Sequence, residues 1–276
     1  MTILNKNWPV EFPFPTVIRT VVCSDLDETY IPSDSDKKKL GGSFSWSPIL
    51  HPCLKKRGFS LAGSREQIWI QPGENPGDIS REALTLYVAS LGTEFYWVKN
   101  GRLIPSETWA ERISRSGYSR QNVNCLVKIL MEKEIPLLKQ PEDYQGPFKV
   151  SYYYPESPSI ASDFATIQEL ADERRIRVVF TRCNPAAGDP PGYYDVEFIP
   201  LCCGKDQAVS FLMEETGLPK EAIIAFGDSA NDFAMFAQAG SGYLVGNADP
   251  FAVSQYGNRL DSAYCHGILS VLKELQ

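Results

Sequence analysis

Val21-Val22-Cys23-Ser24-Asp25-Leu26-Asp27-Glu28-Thr29-Tyr30 is the stretch around which the rest of the chain is organised. The apolar run at 18–23, interrupted by two polar residues, predicts a short buried strand. Two aspartates at i and i+2 follow it, and strand alternation places them on one side. Ligands of open α/β sheets bind at the carboxyl ends of the strands. We therefore expect Asp25 and Asp27 to converge at a ligand-binding edge.

Two neighbouring carboxylates repel each other, so they need a cation or a shared proton. A hard divalent ion such as Mg²⁺ suits them, because it favours carboxylate oxygens and substrate phosphates. The alternative is that this segment is only an acidic turn after a strand. The first motif therefore predicts a Mg²⁺ site and leaves that alternative open.

Composition narrows the class of protein. The 276 residues are 43% hydrophobic and 22% charged, which is typical of a globular protein large enough for two domains. The net charge of −7 argues against nucleic acid as a partner, and no apolar run is long enough for a membrane span. The first residues lack the apolar segment of a secretory signal. The seven cysteines include no CxxC pair, so we expect reduced thiols and a cytoplasmic protein.

The order of predicted elements indicates a core in two pieces with an insert between them. Strands are predicted at 18–23, 59–62, 83–90, 222–226 and 243–245, with helices between or after them, one of them following Ser64. The middle of the chain has a different pattern, with alternating strands and amphipathic helices typical of an α+β unit. The predicted fold class is α/β: a doubly wound parallel-sheet (Rossmann-like) core with an inserted α+β domain.

A second acidic motif, Gly227-Asp228-Ser229-Ala230-Asn231-Asp232, follows an apolar strand near the end of the chain. It lies at the same kind of strand end as the first motif, so Asp25 and Asp228 could hold one Mg²⁺ together. An aspartate in such a loop is also a common helix N-cap, which is the alternative.

Two further features complete the candidate site. Lys205 opens a predicted helix and could balance negative charge that develops on a phosphate, although a lysine there is ordinarily a surface residue. Gly63 and Ser64 follow the second predicted strand, where a hydroxyl and backbone N–H groups at a helix N-terminus could bind an anion. The alternative for this pair is a simple helix cap.

This order of motifs resembles the haloacid dehalogenase-like phosphohydrolases, and the position of the insert resembles the subgroup with a C2-type cap. Within it, the chain resembles the sucrose-phosphate phosphatase branch, from about residue 18 to the end. The strings that carry this likeness are Asp25-Leu26-Asp27-Glu28-Thr29, Gly92-Thr93-Glu94, Pro147-Phe148-Lys149-Val150-Ser151-Tyr152 and Gly227-Asp228-Ser229-Ala230-Asn231-Asp232. The resemblance implies a catalytic core at 1–97 and 199–276 and a specificity cap at 98–198.

The resemblance also implies roles for individual residues. Asp25 would be the nucleophile that forms an aspartyl-phosphate, and Asp27 would protonate the leaving group and then activate water. Mg²⁺ would bind Asp25, the backbone carbonyl of Asp27 and Asp228. Asp232 would hold the metal site or Lys205 in position from outside the direct contacts to the phosphate.

Phosphate binding is assigned to Gly63, Ser64, Lys205 and Asn231. The family usually has threonine before the glycine, whereas this chain has Ala62. Either Ser64 supplies the missing hydroxyl or the loop relies on backbone N–H groups. This departure also motivates a different class of function, a sugar-phosphate binder without catalysis.

The cap is expected to choose the substrate. Its polar candidates are Glu94, Lys149, Arg182, Asn184 and Asp189. The expected substrate is a small-molecule hexose 6-phosphate, possibly an amino sugar such as kanosamine 6-phosphate, whose ammonium group would suit the acidic residues. The alternative enzyme is a sucrose-6-phosphate phosphatase. The tyrosines at 152–154 could line the sugar or could belong to the core of the cap sheet.

Overall fold

The structure is a computed structural model of the chain. It describes residues 18–25, 28–30, 32, 65–72, 86–99, 102–183, 185 and 189–274. Among these residues no helix is both long enough and apolar enough to cross a membrane. Asp27, Gly63, Ser64 and Asn184, and the strand predicted at 59–62, lie outside the described residues.

The described chain contains both strands and helices. The strands are β1 Ile18–Asp25, β2 Arg65–Pro72, β3 Leu86–Ala89, β4 Glu94–Lys99, β5 Arg102–Pro105, β6 Leu138–Lys139, β7 Val150–Pro155, β8 Ile176–Arg182, β9 Tyr193–Pro200, β10 Ile223–Gly227 and β11 Ser241–Leu244. The α-helices are α1 Glu107–Ser114, α2 Arg120–Glu132, α3 Ile160–Asp172, α4 Lys205–Thr216, α5 Phe233–Gln238, α6 Pro250–Gln255 and α7 Tyr264–Glu274.

The chain divides into two compact units, one formed by Met1–Ser106 with Lys205–Gln276 and the other by Glu107–Gly204. The predicted insert at 98–198 begins and ends earlier than the second unit. The assignment of a catalytic core and a specificity cap stays a prediction.

The first unit contains a seven-stranded sheet in the order β11-β10-β1-β2-β3-β4-β5. The first three strands in this order are parallel, as predicted. The four pairings from β1 through to β5 are antiparallel. The helix predicted after Ser64 is wrong, because 65–72 is strand β2. Its Ile68-Trp69-Ile70 run is β-branched and aromatic, which favours a strand over a helix.

The parallel part of this sheet is buried. All five residues of β10 are buried, which is typical of a parallel strand covered on both faces. Its neighbour β1 runs in register with it, so that Val22 lies opposite Ile224 and Ser24 opposite Phe226. One apolar cluster on this sheet contains Val22, Ile224, Phe226, Val245, Ile268 and Val271. This packing fixes the ends of β1 and β10, where the acidic motifs begin.

The second unit is a four-stranded antiparallel sheet, β6-β7-β9-β8, with α2 and α3 packed against one face. The α+β character predicted for the insert is therefore confirmed. Tyr152 and Tyr154 are buried in the cluster between sheet and helices, and Phe180 packs against it. These aromatic side chains belong to the core of the unit, so the suggestion that they line a sugar is wrong for Tyr152 and Tyr154.

Candidate active site

The two acidic motifs meet at one edge of the first sheet. Asp25 is the last residue of β1 and is buried, and Asp228 directly follows β10. Because these strands are parallel neighbours, their carboxyl ends lie together. Carboxylate oxygens of Asp25, Asp228 and Asp232 lie within 4.8 Å of one another. The structure thus brings Asp25 together with two aspartates of a loop that lies about two hundred positions further along the sequence.

Asp232 organises the loop after β10. It is fully buried, and its Oδ2 accepts hydrogen bonds from the backbone N–H groups of Asp228 (3.0 Å) and Ser229 (3.1 Å). Ser229 and Asp232 also form a reciprocal capping box. A Cβ at Gly227 would lie 2.3 Å from Asp232 Cγ, so only glycine leaves room for this carboxylate.

Lys205 is the first residue of α4, and its side chain is buried rather than exposed. Its Nζ lies 2.7 Å from Asp232 Oδ1, 3.1 Å from Asn231 Oδ1 and 3.3 Å from Asp25 Oδ2. The surface-residue alternative for Lys205 is therefore wrong. A buried ammonium is stable only where carboxylates and hydrogen-bond acceptors surround it, as they do here.

Asn231 lies beside the lysine. Its Oδ1 accepts hydrogen bonds from Lys205 Nζ and from Ser229 Oγ, the latter at 2.9 Å. The geometry thus shows a contact of Asn231 with Lys205, and its assignment to phosphate binding stays a prediction.

Thr29 is a residue of the site to which sequence reasoning gave no role of its own. It is fully buried, and its Oγ1 donates a 2.7 Å hydrogen bond to Asp228 Oδ1. The available signal was its place in the first motif, four residues after Asp25. Through this bond, the loop after β1 is tied directly to the loop after β10.

The electrostatics of the site favour a cation. Burial, followed by the neighbouring carboxylates of Asp232 and Asp25, raises the pKa of Asp228 well above its usual range. The Thr29 hydrogen bond and Lys205 act in the opposite direction. A single lysine does not offset three clustered carboxylates, and a hard divalent ion with oxygen ligands would. The donor set therefore fits Mg²⁺.

The predicted cap residues that the structure describes have different surroundings. Glu94 begins β4 in the first unit, where it accepts hydrogen bonds from Ser90 Oγ (3.0 Å) and Tyr96 OH (2.6 Å). Its placement in the cap is therefore wrong. Arg182 lies in the second unit and makes an exposed 3.4 Å ion pair with Glu156, the ordinary pairing that a surface arginine adopts.

Lys149 is internally paired in the second unit. Its Nζ lies 2.8 Å from Glu197 Oε1, and both side chains are only 9% exposed. Ser151 Oγ donates to the same carboxylate oxygen at 3.2 Å. Glu197 was missed from the sequence, because a glutamate between two apolar strand residues reads as the outward-facing member of an alternation.

Asp189 belongs to a second acidic group in the same unit. The ligand atoms of Asp189, Asp195 and Cys183 lie within 4.8 Å of one another. Gln140 Nε2 donates to Asp195 Oδ1 at 2.7 Å. Burial, followed by the charges of Glu197 and Asp189, raises the pKa of Asp195 to about 6. Asp195 was also missed, because no spacing rule links it to Asp189 across the strand end.

The first site, with a strand-end aspartate, a buried lysine and an acidic loop on the adjacent parallel strand, defines a haloacid dehalogenase-like phosphatase. Residues 85–268 match the sequence model of the sucrose-6F-phosphate phosphohydrolase family, and the chain belongs to this family. Kanosamine-6-phosphate phosphatase of Bacillus subtilis (strain 168) is 34% identical over 263 residues, covering 92% of each chain.

Solved structures agree with this class. The chain resembles yhjK, a haloacid dehalogenase-like hydrolase protein from Bacillus subtilis, with a TM-score of 0.58 and 30% identity over 92% of this chain and 90% of that one. It also resembles the sucrose-phosphatase of Synechocystis sp. PCC6803, solved with sucrose and phosphate, with a TM-score of 0.60 and 18% identity over 94% and 98% of the two chains. At that identity the second likeness shows the fold alone. The predicted fold class and the phosphatase class are confirmed.

Proposed function

We propose that this phosphatase hydrolyses a hexose 6-phosphate through an aspartyl-phosphate on Asp25, with Mg²⁺ as cofactor. The observation that carries the proposal is the buried contact of Lys205 with Asp25 and Asp232. It places a positive charge beside the proposed nucleophile, where the charge of a transferring phosphoryl group develops.

The reaction has two steps. An Asp25 carboxylate oxygen attacks phosphorus, the bond between phosphorus and the sugar oxygen breaks, and Asp27 donates a proton to that oxygen. Asp27 then takes a proton from a water molecule, whose oxygen attacks phosphorus and releases inorganic phosphate and free Asp25. Asp27 returns to its protonated form, ready for the next substrate. Lys205 stays charged throughout and offsets the negative charge of the phosphoryl group.

Mg²⁺ would be held by Asp25, Asp228 and the backbone carbonyl of Asp27. When bound, the ion supplies charge neutralisation for the phosphate oxygens. Asp232 keeps Lys205 and the Asp228 loop in place through its two carboxylate oxygens. Gly63, Ser64, Lys205 and Asn231 are the proposed phosphate ligands.

The proposed substrate carries an amino group, as kanosamine 6-phosphate does. Support comes from the acidic group of Asp189 and Asp195, where an ammonium ion would offset the effects of burial and of the Glu197 and Asp189 charges, which raise the Asp195 pKa to about 6. It also comes from the 34% identity to a phosphatase named for that substrate. We assign substrate choice to the cap at 98–198 and a cytoplasmic location to the protein, in keeping with the free cysteines of the described residues.

The alternative substrate is sucrose 6-phosphate, favoured by the name of the matched family. A binder without catalysis is the alternative from another class, motivated by Ala62. One panel separates all three: phosphate release from kanosamine 6-phosphate, glucose 6-phosphate and sucrose 6-phosphate, with and without Mg²⁺, for the wild type and Asp25→Asn.

We expect the highest kcat/KM with kanosamine 6-phosphate, no release without Mg²⁺ and none by Asp25→Asn. Sucrose 6-phosphate as the best substrate would replace the amino-sugar proposal. Release no faster than that of Asp25→Asn on all three compounds would leave only the binder.

A further inference from the structure

Glu28, three residues after Asp25, has an unusual backbone conformation. Its φ angle is +62°, in the left-handed region that side chains with a Cβ rarely adopt. Such a residue keeps this conformation only when its surroundings hold it there.

Asn247 contacts the backbone of Glu28. Its Nδ2 donates a 2.5 Å hydrogen bond to the Glu28 carbonyl oxygen, while its Oδ1 accepts from the backbone N–H of Tyr264 at 2.8 Å. The Tyr264 hydroxyl lies 3.4 Å from Glu28 Oε2. Both the donor and the acceptor of the Asn247 amide are thus hydrogen-bonded, and the donor bonds Glu28, the residue in the left-handed conformation.

The segment that carries Asn247 is itself fixed to the active-site loop. The backbone N–H of Val245 donates to Gly227 O at 3.0 Å, and that of Asp249 donates to Asp228 O at 2.9 Å. Asn247 lies between these two anchors in the chain. The hydrogen bonds that flank Asn247 in the chain therefore fix its distance from the Asp228 loop.

These contacts form a closed ring around the end of β1. Asp228 is bonded to the Asn247 segment on one side and to the Thr29 hydroxyl on the other. Thr29 directly follows Glu28, and Glu28 is bonded back to Asn247. A change of φ at Glu28 would redirect Thr29 and break its bond to Asp228.

We propose that Asn247 is a positioning residue for the phosphatase reaction, which holds Glu28 in its left-handed conformation and so keeps Thr29 on Asp228. The inference rests on the proposed role of Asp228. The Asn247 side chain bonds the backbone of Glu28 and of Tyr264, so we infer that its effect passes through the backbone at Glu28.

A double-mutant cycle tests this link. Glycine adopts positive φ about as readily as negative φ, so in Glu28→Gly residue 28 no longer needs Asn247 to hold it at positive φ. With p-nitrophenyl phosphate as substrate, we expect Asn247→Ala to lower kcat about tenfold, as loss of one hydrogen bond does, and to change KM less than about twofold. In the Glu28→Gly background the same substitution should lower kcat less than about threefold.

Asn247→Asp separates positioning from a merely structural role. It keeps the acceptor for the Tyr264 N–H but places an oxygen against the Glu28 carbonyl, so its kcat should be no higher than that of Asn247→Ala. If Asn247 served only to cap the start of α7, aspartate would replace it well, because a negative charge is favourable there.

Thermal unfolding gives a readout that does not depend on catalysis. Asn247→Ala should lower Tm by about 2–4 °C in the wild type and by less in Glu28→Gly. Asn247→Ser gives the same cycle if the alanine variant does not fold. Equal losses in both backgrounds, or wild-type kcat in Asn247→Asp, would overturn the proposal. A wild type that lacks phosphatase activity would instead count against the proposed function. The Tm values of the single and double variants would then still show whether Asn247 holds Glu28 in its left-handed conformation.

Discussion

The Nζ atom of Lys205 lies 3.3 Å from Oδ2 of Asp25, and both side chains are buried. The same nitrogen lies 2.7 Å from Asp232 Oδ1. One ammonium group thus joins the proposed nucleophile at the end of β1 to the carboxylate that shapes the loop after β10. Removing its charge should affect both catalysis and folding, and the two effects can be measured separately.

Lys205→Met should lower kcat at least about a hundredfold, because a preorganised charge at the phosphoryl group is lost. It should also lower the free energy of unfolding by about 3–5 kcal/mol near neutral pH, since buried carboxylates lose their partner. Steady-state kinetics and urea unfolding measure the two effects. Lys220→Met is the control, because Lys220 is exposed and donates a hydrogen bond to the backbone carbonyl of Ala237. Wild-type stability in Lys205→Met would contradict the buried pairing.

The stabilisation of the protein by Mg²⁺ should depend on pH. The raised pKa of Asp228 means that the metal-free folded state holds a proton that the unfolded state has lost, so ionisation of Asp228 destabilises the fold as pH rises. Mg²⁺ binds the ionised form and reverses this effect.

We therefore expect the Tm increase caused by Mg²⁺ to grow as pH rises from about 5 to 8 and to vanish as Asp228 becomes protonated. Thermal unfolding with and without the ion measures it. Asp228→Asn should abolish most of the increase at every pH. An increase that is the same across this range would contradict the role of Asp228 as a metal ligand.

Glu197→Gln should lower the free energy of unfolding by about 3–5 kcal/mol, because it leaves the Lys149 ammonium buried without its counter-charge. Lys149→Met with Glu197→Gln should recover part of this loss, since both charges are then absent. The exposed pair of Arg182 and Glu156 is the matched control, and Arg182→Gln should cost less than about 1 kcal/mol. If Lys149→Met raised KM without changing stability, the lysine would bind substrate and not Glu197.

Asp195→Asn should stabilise the protein at high pH. The pKa of Asp195 is raised to about 6 in the fold, so its ionisation opposes folding and its contribution to stability falls as pH rises through that value. The variant should therefore have a higher Tm than the wild type at about pH 8 and the same Tm at about pH 4. It should also raise KM for kanosamine 6-phosphate more than for glucose 6-phosphate. No pH dependence of the Tm difference would contradict this account.

Gly227→Ala should displace Asp232, because the new Cβ would lie 2.3 Å from Asp232 Cγ. We expect a loss of at least about 1–3 kcal/mol in the free energy of unfolding, as for other overpacked sites, together with lower kcat. Gly257→Ala is the control, since among the described residues no atom beyond the chain neighbours of Gly257 would lie within 4 Å of the added Cβ. Equal effects of the two substitutions would show that the loop adapts to the added methyl group.

Local sequence patterns determined the parts of the fold that depend on one segment at a time. An apolar run ending in aspartates predicted that Asp25 and Asp228 lie at strand ends, because burial and side-chain alternation are properties of a single strand. Helical periodicity predicted α2 and α3 for the same reason. The position of Lys205 at the start of a predicted helix suggested its role beside a phosphate, although the sequence left a surface lysine as the alternative.

Only the tertiary structure decided which side chains meet across elements. It brought Lys205 to Asp25, paired Lys149 with Glu197 and placed Tyr152 and Tyr154 in a core, none of which periodicity specifies. It also made 65–72 a strand of a mixed sheet, where a helix was expected. The physical reason is that spacing along one element fixes the direction of a side chain, whereas its partner depends on the register between elements distant in sequence.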